Sequence, residues 1–200
     1  MSMQLSLGRL TSRRRPLPTH HAAAAAMDHE TSNAGWREPV GCSSHSTAVV
    51  GDTIYLWTGY KEGMLNVHNS CKKLSFLSKV DAFNVSTGCW EQHITYGTPP
   101  LGVCGYSCVA IKNELLYFGG WCGHNCCNHN SIHSLSTPAL QWKTLTPTTV
   151  LDGRPMRKSY CGMVHFTDGE EDLLYVVGGF GHAVPSSPQP EAQYSPLCCE

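Results

Sequence analysis

Short apolar runs with polar residues at alternate positions recur along the chain, and glycine closes the strongest of them. Residues 46–50 and 53–57 are β-branched and aromatic runs separated by the polar turn Gly51-Asp52, a pattern that predicts a β-hairpin. A long loop from Tyr60 to Lys79 leads to residues 80–85, where period-two alternation predicts a half-buried strand. A turn at Ser86-Thr87-Gly88 then delivers a fourth strand from Cys89 to Ile94. Four strands joined in this order predict one antiparallel sheet.

The order is repeated. Tyr55-Leu56-Trp57-Thr58-Gly59, Tyr117-Phe118-Gly119-Gly120 and Tyr175-Val176-Val177-Gly178-Gly179 mark three units, each preceded by a proline: Pro39, Pro100 and Pro155. The closing glycines lie 61 and 59 residues apart, enough for one small sheet per unit. The second unit predicts strands at 106–111, 115–120, 132–135 and around Trp142. The third predicts 163–166 and 173–177 on either side of an acidic insertion at 168–172. Units of this size cannot bury their own faces and must stack, which favours a binding surface over a reaction vessel. The boundaries that follow are a disordered leader at 1–35 and a repeat region at 36–182, with units at about 37–96, 97–147 and a partial 148–182. A disordered tail follows at 183–200, where Pro185, Pro188, Pro190 and Pro196 preclude further sheet. With half of the third unit missing, the strand at 173–177 is expected to present an open apolar edge unless something covers it, and pairing with another chain is one way to do so.

The 200 residues are 41% hydrophobic and 14% charged, with a formal net charge of −1, which excludes a strongly basic nucleic-acid footprint. No apolar run approaches the roughly 20 residues of a membrane-spanning helix. Eleven cysteines in no punctuated framework, with no signal peptide visible, predict free thiols in a reducing compartment, cytoplasmic or nuclear. The Arg13-Arg14-Arg15 start, acid-free before Asp28, also has the composition of a transit peptide.

The glycine pairs after aromatic-led strands, the downstream Trp90 and Trp142, and the hairpin from Ser44 to Trp57 resemble a kelch-repeat array over residues 37–182. More narrowly, Tyr55 to Lys61 and the loop after them are similar to the opening repeats of kelch-domain substrate receptors of cullin ubiquitin ligases, which capture protein C-termini. The resemblance implies an all-β fold, an incomplete β-propeller of four-stranded blades numbering about two and a half, with Trp90 and Trp142 buried between sheets. It implies a non-enzymatic protein-interaction module without a cofactor, whose partner is a protein or peptide. Two departures stand out. Thr58 replaces the first glycine of the first pair, and propellers close with about four to eight blades.

In this family, loops leaving the second strand and loops between blades form the ligand rim. That assigns partner binding to Tyr60, Lys61, His68, Trp121, His124, Phe180 and His182 from the former, and to Arg37, Arg154, Arg157 and Lys158 from the latter. Aromatics beside cations are the residue types that anchor peptides and carboxylates. The alternative chemistry is metal binding or catalysis at a loop holding Cys122, His124, Cys126, Cys127, His129 and His133. Zinc accepts four such ligands. The spacing fits no standard paired knuckle and shows no second ligand pair to clamp an ion, so a solvent loop carrying Asn125, Asn128 and Asn130 is the favoured reading of that segment.

Overall fold

The structure, a computed structural model, describes residues 2–6, 39, 41–60, 63, 67–146, 149–150, 156–169 and 171–181. Its strands in chain order are β1 (Ser2–Ser6), β2 (Ser46–Val50), β3 (Thr53–Trp57), β4 (Lys79–Asn84), β5 (Cys89–Ile94), β6 (Cys104–Ile111), β7 (Glu114–Trp121), β8 (Ile132–Ser136), β9 (Gln141–Leu145), β10 (Thr149–Val150), β11 (Ser159–Asp168) and β12 (Glu171–Phe180). A single helix among the described residues, α1 (Cys71–Leu77), precedes β4. No described helix is long and apolar enough to cross a membrane.

The strands form three four-stranded sheets ordered β2-β3-β4-β5, β6-β7-β8-β9 and β10-β1-β12-β11, antiparallel throughout. The first two are the units expected from the pattern. The third differs from expectation. Ser2–Ser6, placed by the sequence pattern in a disordered leader, pairs with the strand that was to be left open, in the register Ser2↔Val177 to Ser6↔Leu173. Thr149 and Val150 pair with its other side. The edge of β12 at 173–177 is therefore paired within the chain, and no second chain is needed there. The acidic insertion also differs: it extends β11 and β12 to 10 residues each, with Asp168 opposite Glu171 across the turn. The remainder of the expected leader and the proline-rich tail lie outside the described residues.

Two apolar layers hold the sheets together. Trp57, Leu77, Val80, Tyr106, Leu115, Tyr117, Leu135 and Trp142 fill the space between the first and second sheets. Ile111, Leu116, Phe118, Ile132, Leu174 and Val176 fill the next. Alternation along β7 explains the division, because Leu115 and Tyr117 face one layer while Leu116 and Phe118 face the other. Trp142, 4% exposed, packs with tilted rings at 4.7 Å against Trp57 and 5.4 Å against Tyr117, and its Nε1 donates to Thr95 Oγ1 at 3.0 Å. Trp90 does not match its expected role. It is half-buried and packs on Phe83 of its own sheet at 5.0 Å, because the neighbour that Trp142 finds in Trp57 has no counterpart on that outer face among the described residues.

The inner strands β2, β6 and β11 are linked by a repeated polar contact. Ser46 Oγ donates to the Tyr106 carbonyl at 2.9 Å, and Ser107 Oγ donates to the Cys161 carbonyl at 2.6 Å. Ser46 and Ser107 hold equivalent places in their units, so each buried hydroxyl ties its blade to the next. The glycine pairs serve the same junctions. Gly59 N–H donates to the Val103 carbonyl and Gly120 N–H to the Lys158 carbonyl, both at 2.9 Å. At φ +76° and +89°, Gly119 and Gly120 occupy backbone conformations that L-residues seldom adopt, and a Cβ on Gly119 would collide with the Lys158 carbonyl.

Candidate functional site

The predicted long loop after β3 contains α1, which organises the site. Ser70 caps the helix by accepting from the Lys73 N–H at 3.1 Å, and Lys73 and Leu77, one turn apart, form its buried face. Trp57 Nε1 donates to the Leu77 carbonyl at 2.9 Å and fixes the helix against the first sheet. Lys73 is 2% exposed, and its ammonium donates to the carbonyls of Val67 (3.0 Å), His68 (3.0 Å) and Cys122 (2.6 Å) and to Cys122 Sγ (3.1 Å). A buried cation thereby ties the first blade's insert to the loop after β7 in the second. Sequence reasoning missed Lys73. The available signal was a capping serine three residues ahead of a Lys73–Leu77 pair at helical spacing.

The loop after β7 turns back on itself. The Cys122 N–H donates to the Cys127 carbonyl at 2.8 Å, and the His129 N–H donates to the Gly120 carbonyl at 2.9 Å. Trp121 pairs with Asn128, and its Nε1 donates to the Asn125 carbonyl at 2.9 Å, which holds the indole at the rim. Tyr60 is set by an isolated bridge to Ser43, and its ring lies 6.5 Å from that of Trp121. His68 meets the rings of His124 at 5.4 Å and His129 at 5.7 Å.

Of the residues predicted to bind a partner, the structure brings together Tyr60 with Trp121, and His68 with His124. Arg157 is close enough for its charge to lower the pKa of His68. Lys158 is half-buried and donates to the Gly178 carbonyl at 2.8 Å, so it acts within the third sheet. Phe180 stands at the end of β12 opposite Ser159, with 62% of its surface exposed. Arg37, Lys61, Arg154 and His182 lie outside the described residues.

Of the metal alternative, Cys122, Cys127 and His129 converge with His68, their donor atoms all within 4.8 Å of one another. His124 and Cys126 are not in that group, and Cys126 is exposed. The sequence shows no second ligand pair for this loop, and the structure brings one distant residue to it: His68, more than fifty residues earlier, arrives through the α1 insert. Burial pushes His129 down to about 3 and His133 to about 4, so these two imidazoles are neutral at pH 7, and it also lowers His68 and His124. Burial raises the Cys122 thiol to about 11 despite the opposing pull of Lys73.

A family model described as "KLHDC2/KLHL20/DRC7 Kelch-repeats domain" matches residues 12–187, and the chain belongs to this kelch-repeat family. It is 33% identical over 115 residues to kelch domain-containing protein 3 of Rattus norvegicus, a match covering 56% of this chain and 26% of that protein. It is 27% identical over 146 residues to the N-(sulfonatooxy)prop-2-enimidothioate sulfolyase of Thlaspi arvense, covering 72% of this chain and 37% of the enzyme. A solved structure titled "Structure of YjhT" overlays with a TM-score of 0.43 at 16% identity, covering 63% of this chain and 42% of that one. The chain spans about a quarter of the length of the kelch domain-containing protein 3 relatives it matches.

Proposed function

We propose that this chain is a non-enzymatic protein-interaction module whose rim of Tyr60, Trp121, His124 and Arg157 receives a peptide of a cytoplasmic or nuclear protein. Membership of the kelch-repeat family supports the interaction role. The observation that carries the site is the Tyr60–Trp121 pair, held at 6.5 Å by two isolated backbone bridges on adjacent blades, with Arg157 on the neighbouring inter-blade loop. Aromatic rings fixed before binding lose little side-chain entropy on contact, and a guanidinium beside them suits a carboxylate, backbone-terminal or side-chain. Within this reading, the narrower proposal is a role in substrate recognition by a ubiquitin ligase, resting on the similarity of residues 55–61 and the loop beyond to such receptors.

The test is a random peptide-display selection against the purified chain, followed by fluorescence-polarisation titration of the selected peptides. Trp121→Ala and Arg157→Ala are each expected to weaken binding by about tenfold or more. Selected peptides that bind both variants as tightly as the wild type would overturn the assignment of the rim, as would a selection that enriches none.

A further inference from the structure

We infer that His68, Cys122, Cys127 and His129 form a tetrahedral zinc site that fastens the α1 insert of the first blade to the β7–β8 loop of the second. The donor set is two thiols and two imidazoles, the composition of a closed structural zinc centre. All four donor atoms lie within 4.8 Å of one another, and two of the edges match a zinc tetrahedron before any ion is considered. With Zn–S near 2.3 Å and Zn–N near 2.0–2.1 Å, the nitrogen–sulfur edge of a tetrahedron is about 3.5 Å. His68 Nδ1 lies 3.4 Å from Cys122 Sγ and 3.6 Å from Cys127 Sγ.

The second observation is independent of those distances. His129 is 5% exposed, and its Nε2 is buried without a hydrogen-bond partner. An imidazole nitrogen left so is costly unless something accepts its lone pair or takes its proton, and a metal ion does the former. Lys73 fits the same arrangement. Its Nζ donates to Cys122 Sγ at 3.1 Å while carbonyls take its other protons, and an N–H donor to a metal-bound thiolate disperses the charge on sulfur. Two thiolates balance the charge of one Zn²⁺. Binding releases the protons of Cys122 and Cys127 to solvent, forms two Zn–S and two Zn–N bonds, and changes no oxidation state. Four protein donors fill the coordination shell, so the ion is structural.

The spacing hides this site from the sequence. The pair Cys122 and Cys127 is closed by the bond between their backbones, His129 follows in the loop before β8, and the fourth ligand comes from another blade.

The experiment is metal analysis of the full chain purified without chelator, together with Co²⁺ titration of the chelator-stripped protein. About one zinc per chain is expected, and Co²⁺ should give the visible bands of a tetrahedral ion with thiolate charge transfer. His68→Ala changes an exposed residue and is expected to abolish stoichiometric zinc while the protein stays folded by circular dichroism; Cys127→Ser should do the same. His124→Ala and Cys126→Ser, neighbours outside the donor set, should keep the metal. The inference is overturned if wild-type protein carries no zinc and gives no tetrahedral cobalt spectrum. Zinc unchanged in His68→Ala, or lost equally in Cys126→Ser, would also overturn it, as would a Cys122–Cys127 disulfide in protein handled under reducing conditions. Trp121→Ala should retain zinc whatever it does to peptide binding, which separates this result from the test of the rim.

Discussion

Replacing Thr58 by glycine is expected to leave the protein at least as stable as the wild type, although it deletes a buried side chain. Thr58 stands where the second and third units have Gly119 and Gly178, and all three share the left-handed region, at φ +61°, +76° and +70°. An L-residue there costs about 1–2 kcal/mol, and β-branching makes threonine a poor occupant. Thr58 is 8% exposed, and its Oγ1 is buried without a partner, which adds about 1 kcal/mol or more. Against these stand the lost Cβ and methyl carbons, about 1.6 kcal/mol, and the greater freedom of glycine in the unfolded chain, about 0.5–1 kcal/mol. The two sides nearly cancel, and where the strain is at its upper end the balance favours glycine by up to about 1 kcal/mol. In a chain of this size that raises Tm by at most about 2–4 °C. Urea unfolding of Thr58→Gly, Thr58→Ala and the wild type, followed by tryptophan fluorescence, separates the contributions. Alanine removes the hydroxyl but keeps the backbone strain, so it should fall below glycine. A Thr58→Gly protein less stable than wild type by 1 kcal/mol, or no better than Thr58→Ala, would refute the claim that backbone strain dominates at this position.

Three further outcomes follow from the packing and the titrating groups. Trp142→Ala should cost about 3–5 kcal/mol by opening the layer against Trp57 and Tyr117, whereas Trp90→Ala, on the outer face, should cost under about half of that; denaturant titration of both variants tests the contrast. Deleting residues 1–6 should expose the edge of β12, seen as faster amide exchange at residues 173–177 and as concentration-dependent aggregation, while exchange in β6 and β7 is unchanged. His133 titrates near 4 in the folded protein because it is buried, and at about 6.5 when unfolded. A depressed histidine costs nothing above pH 6.5, and its contribution to stability is lost as pH falls from about 6.5 toward 4. Between pH 6.5 and 5.0 this amounts to about 2 kcal/mol, and His133→Gln should flatten that part of the stability–pH curve.

Much of the architecture was legible because its determinants are local. Alternation and turn residues fix the hairpin of β2 and β3 and that of β6 and β7, and the spacing of the closing glycines fixes the repeat. What escaped the sequence depends on partners distant along the chain. Ser2–Ser6 alternates polar and apolar residues but over only five positions with no turn signal beside it, and it becomes a strand through the open edge of β12. Trp90 and Trp142 occupy the same place in their units, and only the presence of Trp57 beside one of them distinguishes a core residue from a half-buried one. Ser46 and Ser107 read as ordinary polar positions of alternating strands, yet their hydroxyls link successive blades. Gly162 holds the equivalent position in the third unit and has no hydroxyl, so the series of links stops there. At the candidate site, the sequence marked the cysteine- and histidine-rich loop but not the residues that meet it, because His68 and Lys73 reach it through a helix in a segment that reads as irregular.

The pairing of β1 with β12 joins residues about 170 positions apart, and it imposes an order on biogenesis. As the polypeptide leaves the ribosome, the first and second sheets can assemble from neighbouring segments, each closing loops of a few dozen residues. The opening segment must wait until residues 173–177 have been synthesised. Throughout elongation it is an unmated ribbon, available to chaperones or to another nascent copy. Swapping of this segment between copies is the misassembly to which this topology is most prone.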